Sequence, residues 1–167
     1  MKDNVKLPPR LQATLDLVPR VALSVADIGS GHGAVAAALA ARGLRVVATE
    51  RTLASFAALQ DDVQALAQAN NFSIETRLGD GFAALHRDEV EVVVIAGLGG
   101  RSAMQILDRA SWLPRWLVLQ PMQDAHLLAD WLAHRGWESH ESRIAQRGRW
   151  YLGWLVLVPA GEPRRAA

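Results

Sequence analysis

The 167-residue chain contains no cysteine. That excludes a disulfide framework, a thiolate zinc site, an iron–sulfur cluster and a cysteine nucleophile. It suits a reducing cytosol, and a cytoplasmic protein is expected. Lysine is confined to Lys2 and Lys6; the other 16 basic residues are arginines. With no lysine beyond position 6, a Tyr-x-x-x-Lys dehydrogenase centre is excluded. No apolar run reaches the ~20 residues that span a bilayer; the best, Trp150 to Val158, is too short. The start, MKDNVKLPPRLQ, lacks the apolar stretch of a signal peptide, so no membrane partner is expected. The five histidines (32, 86, 126, 134 and 140) show no ligand spacing backed by acids, and no metal is expected. Net charge is only +1. Residues 1–100 hold 9 basic against 11 acidic side chains, and residues 101–167 hold 9 against 6. That mild basic tilt allows a polyanionic partner without demanding one.

What is present is a core. Half of the residues are apolar, enough for one domain of ordinary size. Residues 1–20 read as a helical segment, with Leu7–Leu17 as its helix. Residues 21–159 read as the main domain, and 160–167 as a flexible tail. Strand-like runs stand at 21–28, 44–50, 72–78, 90–97 and 116–121. Between them lie helical patterns: one around Val35 and Leu39, one from Thr52 to Asn70, a short one near Phe82–His86, one capped by Ser102, and one carrying Leu127, Leu128, Trp131 and Leu132 up to Gly136. Residues 137–144 and 149–158 flank a turn at Gln146–Gly148 and read as a hairpin. Five β–α alternations and a closing hairpin predict an α/β fold. Its sheet is doubly wound, mostly parallel and seven-stranded, with an antiparallel C-terminal hairpin.

The sharpest local pattern is Ala26-Asp27-Ile28-Gly29-Ser30-Gly31-His32-Gly33, between the first strand and the first helix. A doubly wound sheet builds its ligand crevice there. The glycines permit a tight turn and close approach of a ligand to the backbone. Glu50, with Arg51 beside it, ends the second strand 21 residues after Gly29 and suits two ribose hydroxyls. Gly29-x-Gly31-x-x-Ala34 also meets the loose dinucleotide fingerprint, but Asp27 argues against a dinucleotide. A diphosphate at the helix N-terminus would be opposed by that carboxylate. S-adenosylmethionine carries an ammonium and a sulfonium and no phosphate, so Asp27 attracts it. The pattern D-x-G-x-G-x-G with an acid ending strand two resembles the class I methyltransferase signature. After strand three, Gly79-Asp80-Gly81 offers a carboxylate to an adenine amino group and an N–H to a ring nitrogen. After strand four, Ala96-Gly97-Leu98-Gly99-Gly100 offers carbonyls and a side-chain-free floor. Neither an Asn-Pro-Pro-Tyr motif nor a lysine suited to 2′-O-methylation is present.

Taken together, the blocks LPPRLQATLDLVP, ADIGSGHG, the Glu50 strand end, GDGF (79–82), IAGLGG (95–100), LQP (119–121), LLADWLAHRGWE (127–138) and GRWY (148–151) are similar to those of the bacterial tRNA (adenine-N1)-methyltransferases that modify adenine 22. They keep the family's order over about nine tenths of the chain. The resemblance implies a Rossmann-like class I methyltransferase fold, S-adenosylmethionine as cofactor and tRNA as partner. It implies cofactor contacts from Asp27, Gly29, Ser30, Gly31, His32, Gly33, Glu50, Arg51, Gly79, Asp80, Gly81, Ala96 and Gly97. Gly97, Gly99 and Gly100 would shape the methyl channel, with Gln120 and Met122 bordering the base. The chain departs from the family at Gly31, where the family reads Asp, and at Met122, where it reads Asn. It also stops before the position of the family's C-terminal coiled coil. RNA contacts are expected at Lys2, Lys6, Arg10, Arg101 and Arg115, and Trp112, Trp131, Trp137 and Trp154 are expected in the core. Open alternatives are a methyltransferase for a small molecule or another RNA, a cofactor-binding module without catalysis, and, more distantly, a nicotinamide dehydrogenase.

Overall fold

The structure is a computed structural model that describes residues 7–160. Lys2, Lys6 and the expected tail beyond Ala160 lie outside the described residues. The chain runs α1 (Pro9–Leu17), β1 (Ser24–Ile28), α2 (Ala34–Ala41), β2 (Arg45–Glu50), α3 (Leu53–Asn70), β3 (Glu75–Leu78), a 3₁₀ turn (Gly81–Ala84), β4 (Val92–Ala96), α4 (Gly100–Asp108), β5 (Trp116–Gln120), α5 (Ala125–Arg135), β6 (Glu138–Gln146) and β7 (Arg149–Leu157).

The strands form one sheet in the order β3-β2-β1-β4-β5-β7-β6. β1 to β5 pair in parallel, and β7 runs antiparallel to both β5 and β6. The expected topology is therefore present, hairpin included. Val92-Val93-Val94-Ile95 and Leu117-Val118-Leu119 are buried on both faces, as strands covered by helices on either side must be. One core holds Ala26, Ile28, Val93 and Ile95 against Leu107 of α4 and Leu128 and Leu132 of α5. The other holds Val25, Val46, Val92 and Val94 against Leu15 of α1, Leu39 of α2 and Leu59 of α3. Trp112, Trp137 and Trp154 are core residues, and Trp131 packs edge-to-face on Trp137 at 5.7 Å.

Local chemistry explains the element ends. Thr52 caps α3, its hydroxyl accepting from the Ser55 N–H at 3.2 Å. Gly136 closes α5 in the left-handed region. Arg147 and Gly148, both at positive φ, make the two-residue hairpin turn. Several boundaries differ from expectation: β1 and β3 each start three residues later, at Ser24 and Glu75, and β6 runs on to Gln146. α4 starts at Gly100, so Ser102 lies inside the helix instead of capping it. The Gly100 N–H, one of the donors a helix start leaves unpaired, donates to the Gln123 carbonyl at 2.9 Å, and no side-chain cap is needed. The segment after β3 is one 3₁₀ turn and not a helix reaching His86.

Candidate active site

Strand order reverses between β1 and β4, and the loops leaving the carboxyl ends of β1, β2, β3, β4 and β5 gather at that edge. The β1 loop is the most constrained. Gly29, Gly31 and Gly33 have φ of 71°, 59° and 69°, a left-handed series that residues with a Cβ rarely adopt. The Gly29 and Ser30 N–H groups both donate to the Thr49 carbonyl, at 3.0 and 3.1 Å, so the loop folds over the end of β2.

Asp27 is buried, 2% exposed, and accepts from the Ser30 hydroxyl at 2.6 Å. Burial pushes its carboxyl up to about 6. Hydrogen bonds from Ser30 and from the Ala36 backbone work against that rise, and the nearby Glu50 charge adds to it. Asp27 thus ties the loop to the start of α2. Glu50 sits half-buried at the end of β2, and its Oε1 accepts from the Gly31 N–H at 2.6 Å. Nothing within 4 Å would meet a Cβ added at Gly31 or at Gly97, so the backbone at both positions borders open space.

The β3 loop is braced from behind. Arg77 grips Glu89 with two hydrogen bonds, at 2.7 and 3.0 Å, and donates to the Ala84 carbonyl at 3.0 Å. Asp80 stays exposed at the tip, its Oδ2 3.9 Å from Arg109. The β4 and β5 loops are laced together. The Gly97 N–H donates to the Gln120 carbonyl at 2.9 Å, and the Met122 N–H to the Leu98 carbonyl at 2.8 Å. A Cβ on Gly29 would lie 3.3 Å from the Leu98 side chain, so Leu98 also touches the β1 loop. Arg51 and Gly97 are exposed, and Ala96 half-buried, at this same edge.

Several expected site residues also have packing contacts of their own. His32 faces solvent, its side chain 89% exposed, with Nδ1 2.7 Å from Asp62 on α3. A Cβ on Gly33 would sit 2.6 Å from Val63, so that glycine serves the packing of the loop on α3. Gly79 backs onto Ala84, and Gly81 is buried under Ile106. Gly99 lies against Gln123. A Cβ on Gly100 would fall 2.4 Å from the Asp124 carbonyl, so that residue joins α4 to the β5 loop. Gln120 is wholly buried: Arg10 of α1 donates to its Oε1, and its own amide donates to the Pro121 carbonyl at 2.8 Å. Gln120 therefore anchors α1 from within instead of bordering the cleft. Arg10 is correspondingly engaged inside, beside Tyr151. Arg101 is exposed near Asp124. Arg115 stacks on Trp116 at 4.4 Å, before β5 and so at the opposite edge of the sheet. Met122 does stand at the rim, 44% exposed.

Among the described residues no cluster of three or more His, Asp or Glu could hold a metal ion, and no helix is long and apolar enough to cross a membrane. Leu98 was not singled out from the sequence, although it stands inside the glycine run; nor was the Arg10–Gln120 pair, whose members are 110 residues apart.

Comparison with known proteins places this geometry. The family described as methyltransferase domain matches residues 7–152. The tRNA (adenine(22)-N(1))-methyltransferase of Bacillus subtilis is 32% identical over 172 aligned positions, covering 99% of this chain and 69% of that protein. The crystal structure of the B. subtilis M1A22 tRNA methyltransferase TrmK superposes with a TM-score of 0.77 at 26% identity, over 93% of this chain and 68% of that one. A Streptococcus pneumoniae putative tRNA (m1A22) methyltransferase, solved in complex with S-adenosyl-L-methionine, superposes with a TM-score of 0.78 at 29% identity, over 97% and 77%. A methyltransferase-domain match over residues 7–152 and 32% identity along 99% of the chain, on a Rossmann-like sheet with its crevice at the switch point, mean that the chain belongs to the methyltransferase-domain family and, within it, to the tRNA (adenine(22)-N(1))-methyltransferases.

Proposed function

We propose that this enzyme transfers the methyl group of S-adenosylmethionine to N1 of an adenine in tRNA, the adenine at position 22. The observation that carries the reading is identity of 32% across 99% of the chain to an enzyme of that name. Cytoplasmic tRNA modification follows from such a substrate. The donor set of the crevice fits the cofactor. Asp27, Glu50 and Asp80 are acids, and two backbone stretches open onto space at Gly31 and Gly97. Such a wall suits a cation with free ribose hydroxyls and opposes a diphosphate.

When bound, the cofactor supplies an electrophilic methyl on a sulfonium. Glu50 would keep Oε1 on the Gly31 N–H and offer its other oxygen to the ribose. Asp80, at the tip of the loop braced by Arg77, would accept from the adenine amino group. Gly97 leaves room for the sulfonium end, and Met122 flanks the entering base. Buried Asp27 fixes the loop and contributes a negative field. Adenine N1 has its own lone pair at neutral pH, so the protein need only align nucleophile and methyl and admit the base. That agrees with the outward position of His32, which leaves the crevice without a histidine base.

Incubation with labelled S-adenosylmethionine and either unfractionated tRNA or a small-molecule pool tests the reading. Label is expected in tRNA as 1-methyladenosine. Label confined to small molecules would replace this assignment with the alternative acceptor class.

A further inference from the structure

The β6–β7 hairpin overhangs the crevice. Because β7 runs antiparallel to β5, with Leu119 opposite Trp154, residues 149–152 continue past Gln120 at the edge where the crevice opens. Four residues at ~3.3 Å each extend the sheet by about 13 Å beyond β5. On the same face of the chain the row Trp154, Val156 and Val158 is covered by α4 and α5, whereas Trp150, on the overhang and two residues beyond Leu152, is 74% exposed. The outcome is a cavity of about 510 Å³ between hairpin and rim, walled by Trp150, Leu152, Tyr151, Pro121 and Met122, with Arg143 at its border. Arg143 lies opposite Leu152 in register and Ala145 opposite Trp150, so Arg143 shares the face of the exposed indole.

Charge adds a second argument. Residues 143–152 carry Arg143, Arg147 and Arg149 and no acid. Arg147 and Arg149 form no ion pair among the described residues, and Arg143 meets only Glu141, in an exposed pair at 3.2 Å. An exposed pair of that kind holds its arginine weakly. A flat apolar wall with an open indole, bordered by Arg143 and with Arg147 and Arg149 beside it at the tip of the hairpin, is a composition suited to stacking an unpaired base and holding its flanking phosphates. The cavity contains none of the crevice acids but shares Met122 with the rim.

We propose that this cavity takes an unpaired nucleobase of the RNA substrate, a neighbour of the methylated adenine, with Trp150 as its stacking surface and Arg143, Arg147 and Arg149 on the adjoining phosphates. The inference rests on RNA being the substrate. A base held there fixes the strand so that the next one enters beside Met122.

The experiment compares wild type, Trp150→Ala, Trp150→Phe and the triple variant R143Q/R147Q/R149Q in methyl transfer to unfractionated tRNA. Calorimetric binding of S-adenosylhomocysteine serves as the fold and cofactor control. One stacked base corresponds to a KM for tRNA raised roughly tenfold in Trp150→Ala. Saturated kcat and S-adenosylhomocysteine affinity should be retained, and Trp150→Phe should restore most of the KM. The triple variant should flatten the dependence of log KM on log salt. Wild-type activity with an unchanged KM in Trp150→Ala would overturn the proposal and leave the tRNA reading standing. A fall in kcat at saturating tRNA with KM kept would also overturn it, by placing the methylated base itself in the cavity. Wild type that transfers no methyl to any tRNA would remove the substrate assignment and this site with it.

Discussion

Asp27 shows how much one side chain gives up for its position. Its carboxyl titrates at about 6 instead of 3.8, chiefly through burial. A raised folded-state value favours the protonated form, so the fold is best served below pH ~4, and that advantage is lost as pH rises through 6. The shift corresponds to roughly 3 kcal/mol lost by pH 8. Asp27→Asn should therefore melt higher than wild type at pH 8, the gap closing towards pH 4 in thermal scans. The same variant should bind S-adenosylhomocysteine more weakly by calorimetry. Gly100 is a different case, since its constraint is steric. A Cβ there would meet the Asp124 carbonyl at 2.4 Å, so Gly100→Ala should cost about 2–4 kcal/mol in denaturant unfolding. The glycine run and Asp27 were legible from the chain because backbone freedom and charge belong to the residue itself. The places of His32 and Gln120 were not, because each depends on a partner far off in sequence, Asp62 and Arg10.

Between residues and the whole fold, loops need bracing by the elements that carry them. Arg77 on β3 joins Glu89 and the Ala84 carbonyl, and the His86 N–H donates to the same Glu89 at 2.6 Å. This frame braces the loop that carries Asp80 at its exposed tip. Burial pushes the Glu89 carboxyl up, but hydrogen bonds from Arg77 and His86 outweigh it and hold Glu89 below the usual glutamate range. Its stabilising share is present above the ordinary glutamate value and disappears as pH falls through the lowered one. Glu89→Gln should lower stability by about 1–3 kcal/mol at pH 7, judged from charge-assisted bonds of this kind, with the difference shrinking below pH 4 in urea titrations. At this scale the sequence was most readable. Apolar runs and turn residues mark the seven strands because pairing and burial act over a few neighbours. The start of α4 escaped because a backbone carbonyl from Gln123, in another loop, takes the place of a side-chain cap.

For the molecule entire, the order of strands sets what the crevice can hold. Ligand that binds only the folded form raises the melting temperature by mass action. S-adenosylhomocysteine at about 100 times its Kd should add roughly 2.7 kcal/mol, visible as a rise in Tm, while NAD at the same concentration should leave it unmoved. The doubly wound topology could be anticipated from the β–α alternation and the closing hairpin. The cavity under Trp150 could not, since it depends on how far β7 reaches past β5. Leu98 carries a last consequence. Its side chain lies beside Gly29 and its carbonyl holds the Met122 N–H, so one residue touches both banks of the crevice. Such a link predicts ordered binding, the donor before the acceptor. Leu98→Ala should erase that order, turning a compulsory sequence into a random one in product-inhibition kinetics.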